Sequence, residues 1–85
     1  MKPTFLPGDF TVPFVGAPLY DQEPALRSHM PKRVHLFGKD ELIFIIMKET
    51  RNLYYDWYYV MEMKHTILGW INEHDLIDFR LNDRE

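Results

Sequence analysis

The chain's 85 residues suffice for one compact domain and are too few for two, and 46% apolar with 15% aromatic residues excludes a disordered chain. A net charge of −3 implies no large positive field, which argues against a nucleic-acid partner, and the absence of cysteine excludes disulfides, thiolate metal sites and thiol nucleophiles. No apolar stretch of signal-peptide length follows Met1, and the longest apolar run, residues 42–47, is far below the ~20 residues of a membrane-spanning helix, so the chain is expected to remain in the cytoplasm.

Prolines 3, 7, 13, 18, 24 and 31 punctuate the first third and exclude a long helix there. Residues 9–15 alternate Phe10, Val12 and Phe14 with Thr11 and Pro13, the period of a strand. Pro13 cannot donate to a ladder, so this strand belongs at an edge or carries a bulge. Leu19 and Tyr20 begin a second short strand, and residues 22–32 read as a long loop. Residues 33–37 form a third strand, closed by a Gly38-Lys39-Asp40 turn in which glycine is expected to supply the positive φ. The isoleucine-rich run 41–47 predicts a central strand covered on both faces, and residues 48–56 a polar loop.

From Trp57 the alternation is clean. Trp57, Tyr59, Met61 and Met63 share one face, and Tyr58, Val60 and Glu62 share the other. A turn at residues 64–66 leads to a return strand over 67–71, with Gly69 permitting a close approach or a bulge. Residues 72–75 predict one helical turn, residues 76–79 a last short strand, and the rest a frayed tail. The sum is an all-β domain of five or six short strands, a small barrel with its core over about 9–79 and a tail over 80–85.

The order of short motifs resembles the Src-homology-3 family. Leu19-Tyr20-Asp21 is similar to the opening of the ALYDY motif, followed by a long loop. Residues 34–44 resemble the diverging turn with a shifted glycine. Asp56-Trp57-Tyr58-Tyr59-Val60 and Gly69-Trp70-Ile71 resemble two further motifs, closest in form to the bacterial branch. The resemblance covers about residues 16–79 and implies a Src-homology-3-like barrel. In the eukaryotic family these positions line a groove for proline-rich ligands. Here Tyr20 and Trp57 match the groove, whereas Gln22, Asn72 and Asp75 stand where the family carries a tyrosine, a proline and a tyrosine. Too few flat aromatic walls remain, so no ordinary PxxP binding is expected.

The functional expectation is a non-enzymatic protein-interaction or adaptor module, of the size that suits a small phage or bacterial accessory protein. Its partner-binding residues are expected to be Tyr20, Trp57, Tyr58, Tyr54 and Tyr55, with Trp57 half-exposed at a loop–strand boundary. The partner would be a protein or peptide, or a second copy of the chain. The alternative is a nucleic-acid-associated barrel using a basic patch of Arg27, Lys32 and Arg33. Trp70 is expected to pack in or against the core. Glu73, Asp75 and Asp78 read as a solvated acidic face rather than a catalytic set. Histidines 29, 35, 65 and 74 lack metal-site spacing, so neither a metal nor a cofactor is expected.

Overall fold

The computed structural model of the chain describes residues 5–22, 31–49 and 56–77. Its strands are β1 (Phe10–Thr11), β2 (Pro18–Tyr20), β3 (Arg33–Leu36), β4 (Ile43–Glu49), β5 (Trp57–Glu62) and β6 (Ile67–Asn72), followed by a 3-10 turn (Glu73–Asp75). They form one six-stranded antiparallel sheet in the order β1-β4-β5-β6-β2-β3. The expectation of an all-β fold is met. The sheet itself is open, with β1 and β3 at its two edges. A single bridge between Pro13 and Leu76 brings the chain after the 3-10 turn alongside β1.

β5 is paired on both sides, and its alternation divides the molecule. Directly opposed residues in antiparallel strands share a face. Tyr58 faces Ile71, and Val60 lies between Ile45 and Gly69. Ile43, Glu62 and Ile67 extend this face, and Thr11 joins it opposite Ile43. Phe5, Ala17, Leu19, Phe37 and Leu76 complete the core on that side. Burying such side chains is worth roughly 1.5–3 kcal/mol each, so this face carries most of the fold's apolar stabilisation.

Two bulges change the parity of the strands. In β4, Ile45 opposes Val60 and Met47 opposes Tyr59, leaving Ile46 unopposed. In β3, His35 opposes Leu19 and Arg33 opposes Tyr20, leaving Val34 unopposed. The first bulge corrects the expectation for β4. The strand is internal to the sheet, yet only Ile43 and Ile45 are buried, while Ile46 and Met47 are exposed. A one-core sheet leaves the outer side of β4 uncovered among the described residues.

Several boundaries shift for local reasons. β1 is shorter than the alternation predicts because Phe14 N–H bonds the Asp75 carbonyl and the chain then turns through Gly16 at φ 89°. In the β3–β4 turn the positive φ belongs to Asp40, at 61°, and not to Gly38. Aspartate tolerates this conformation better than most side chains. The expected helical turn after β6 is present, with the Asn72 side chain accepting from His74 N–H at 2.8 Å. Trp70 departs from expectation. It lies outside the core cluster, half-buried on the opposite face, with its ring 5.2 Å from that of Tyr59.

Gly69 does permit a close approach. A Cβ there would sit 2.6 Å from Leu19 Cγ and 2.8 Å from the Tyr20 carbonyl oxygen. The carbonyl belongs to the β2 backbone and cannot swing aside, so Gly69→Ala is expected to lower stability by about 1–3 kcal/mol in urea unfolding. An unchanged midpoint would show that β2 can retreat without loss. Thr66, in the β5–β6 hairpin, holds φ 58° despite its β-branch. Relieving that conformation with Thr66→Gly is expected to raise stability by up to about 1 kcal/mol in the same assay.

Candidate functional site

The face of the sheet opposite the core carries two apolar rows. The first runs Phe10, Phe44, Met61, Leu68 across β1, β4, β5 and β6. The second runs Met47, Tyr59, Trp70, Tyr20 across β4, β5, β6 and β2. Neighbouring strands lie ~4.8 Å apart, so a four-strand row is about 14 Å long. Aromatic pairs stiffen both rows: Phe10 and Phe44 centroids are 5.0 Å apart, and Tyr59 and Trp70 lie at 5.2 Å. Met47 is 42% exposed and Leu68 48%, and the other six side chains are half-buried.

The aromatic residues chosen from sequence divide across this frame. Tyr20 stands in the second row, half-buried. Trp57 does approach it, with ring centroids 6.3 Å apart at 69°. However, Trp57 is only 7% exposed, so it cannot serve as a half-open anchor. It lies at the sheet end, opposite Glu49 and Asn72, with the edge-on Tyr20 ring packed against it. Tyr58 is also corrected. It points into the core, 1% exposed, where its hydroxyl accepts from Phe5 N–H at 3.3 Å and its ring meets Phe5 at right angles. Tyr54, Tyr55 and Arg27 lie outside the described residues. Lys32 and Arg33 are exposed as they enter β3.

Sequence alternation placed Tyr59 and Met61 on one face but could not name their neighbours. Phe44, Met47, Leu68 and Trp70 join them only through the register. A long apolar strand, such as β4, hides which of its residues face outward. The pairing of each with an alternating partner strand is the signal that separates them.

A second constellation lies at the core end where the β3–β4 turn meets the β5–β6 hairpin. His35 Nε2 is 2.8 Å from Glu41 Oε1, and His65 Nδ1 is 3.0 Å from Glu62 Oε1. The two imidazole centroids are 6.0 Å apart. Each carboxylate also fastens a turn. Glu41 accepts from Gly38 N–H at 3.1 Å, and Glu62 accepts from His65 N–H at 2.7 Å and Lys64 N–H at 2.9 Å. Glu62 is fully buried on the core face, where an ionised side chain persists only when hydrogen-bonded.

These contacts set the protonation of the site. The His35 hydrogen bond, strongest of its influences, holds the Glu41 carboxyl below the usual range against a smaller effect of burial. Burial is the largest influence on Glu62 and pushes it up, but the hydrogen bonds from His65 and Lys64 together outweigh it and leave the carboxyl lowered. At the 3-10 turn, burial pushes Asp75 up, opposed by His74. Glu73 and Asp75 are thus half-buried rather than a solvated acidic face, and Glu73 Oε1 accepts from Asp56 N–H at 2.8 Å. Asp78 lies outside the described residues.

Compared with known proteins, the chain matches no family model, no curated protein and no solved structure. No helix among the described residues is long and apolar enough to cross a membrane.

The lowered glutamates carry an acid sensitivity. A carboxylate whose folded pKa lies below its unfolded value, ~4.3, stabilises the fold above that value and stops doing so as pH falls through the folded pKa. Asp75, raised, acts in the opposite direction. Stability is therefore expected to fall from neutral pH to below pH ~4, and to fall less steeply in Glu62→Gln. That variant places an amide against backbone donors and is expected to lose about 1–3 kcal/mol at pH ~7. Urea titrations of both proteins across this range check both effects, and parallel curves would remove Glu62 from the account.

Proposed function

We propose that this chain is a non-enzymatic protein-interaction module that docks a partner on the two apolar rows of its outer sheet face. The observation that carries this is the continuity of the rows. Eight large apolar residues follow one another across five strands, with no core packed on them among the described residues. Monomeric proteins rarely leave large contiguous apolar patches without a use. Tyrosine, tryptophan and methionine are also the side chains enriched at such surfaces.

The proposed occupant is a protein surface bearing aliphatic and aromatic side chains. No charged residue interrupts either row, and the nearest charges in register, Arg33 and Glu49, stand at the margins. That pattern suits an apolar centre with a polar rim. A phosphate backbone would want the reverse, which disfavours the nucleic-acid alternative despite exposed Lys32 and Arg33.

The Src-homology-3-like assignment belongs to the same proposal. It is supported by the 3-10 turn after β6, the Pro13–Leu76 bridge that follows it, and the meeting of Tyr20 with Trp57. Proline-rich recognition is not part of it. Burial of Trp57 removes the flat wall that a proline ring would stack upon.

Leu68→Asp and Met47→Asp test the surface, because both side chains are already exposed. Partner capture by the tagged chain, read with cross-linking and quantified binding, is expected to fall about tenfold or more in the double variant, the scale of a hot-spot loss. Circular dichroism should show the fold retained. Binding unchanged by these substitutions would overturn the surface. Association that is steeply salt-dependent and indifferent to them would favour nucleic acid instead.

A further inference from the structure

We propose that Glu41, Glu62 and His65 form a binding site for a first-row divalent cation, with zinc as the expected occupant and His35 as the residue that positions Glu41. One ligand atom from each of the three residues lies within 4.8 Å of the other two. The site is independent of the apolar rows, since Glu62 projects from the core face of β5.

The donor chemistry is mixed. One imidazole nitrogen and two carboxylate oxygens suit zinc, which takes nitrogen and oxygen at ~2.0–2.2 Å. Ligands at that distance in a tetrahedron stand about 3.3 Å from one another. His65 Nδ1 and Glu62 Oε1, at 3.0 Å, already meet this spacing. Glu41 brings its own ligand atom within 4.8 Å of both. His65, half exposed, opens the site to solvent and gives an ion its path in.

Charge points the same way. Two carboxylates converge on one place, one of them fully buried, and their ion-pair partners are imidazoles. Neither carboxylate meets a lysine or arginine among the described residues. A divalent cation would balance both carboxylates and take the place of the contact between His65 Nδ1 and Glu62 Oε1.

The ligands are also held in advance. Lys64 N–H and His65 N–H fix Glu62, while Gly38 N–H and the His35 ring fix Glu41. Support of this kind orients metal ligands and reduces what binding must order. Three protein ligands leave a fourth position for water or for a partner's side chain.

The test uses the full-length, untagged chain stripped with chelator and titrated with zinc by calorimetry. Cobalt serves as a second probe, because its visible absorption reports tetrahedral coordination. The expected result is saturable binding of about one ion per chain, with a rise in melting temperature. His65→Ala and Glu41→Gln should each weaken it by about 100-fold or more, beyond the 10–100-fold usual for an outer partner. His35→Gln should weaken it less while leaving the cobalt spectrum tetrahedral. His74→Ala, outside the cluster, should bind as the parent does. His65 is exposed in a turn, so its variant should fold, and circular dichroism confirms this. Absence of saturable binding, indifference to both ligand substitutions, or equal loss in His74→Ala would each overturn the proposal.

Discussion

Val60 lies between Ile45 and Gly69, and that three-strand contact governs the rest of the molecule. It fixes the register of β5 against both neighbours. A slip of one residue on either side would exchange the faces of every side chain on β5. Because Gly69 has no side chain, Leu19 enters above it and β2 closes onto β6. Among the described residues the core forms on that side alone. The outer rows are the other half of the same arithmetic, since each buried residue on β5 commits its neighbour to the opposite face.

The core so formed is not purely apolar. Thr11 and Glu62 are fully buried within it or at its end, and Tyr58 brings a hydroxyl. Glu62 is tied to local backbone, and the Tyr58 hydroxyl to the distant Phe5 N–H. Asp9 Oδ2 accepts from Leu6 N–H at 2.8 Å, and Glu62 gathers the hairpin that follows it. Such bonds add little when made and cost more when broken. They act as specifications of turn shape, and through the turns they decide where His35 and His65 come to rest.

Much of the architecture was legible along the chain. The alternation from Trp57 to Met63, the turn after it and Gly69's close approach all follow from residue type and spacing. Local pattern failed where a long-range contact decided the outcome. An extra residue at Ile46 turned a run of isoleucines into a strand with one open face. A tryptophan and a tyrosine at adjacent positions, Trp57 and Tyr58, were both read as surface, yet the sheet end covers one and the core takes the other. Nothing in the spacing of four histidines reveals that His35 and His65, each paired with a carboxylate of its own turn, are brought together from two different turns. That meeting is a product of register, which no single strand contains.

An open sheet carries a hazard that a closed one avoids, because an unpaired backbone edge can recruit another strand. Here the two edges are guarded differently. β1 is only two residues long and runs into Pro13, whose far side is met by Leu76. β3 is entered through Pro31, Lys32 and Arg33, and Val34 bulges its ladder. Proline, positive charge and irregular register are the means by which natural sheets discourage edge-to-edge growth. Among the described residues, apolar rows thus lie on one face while both rims carry features that discourage fibrillar stacking.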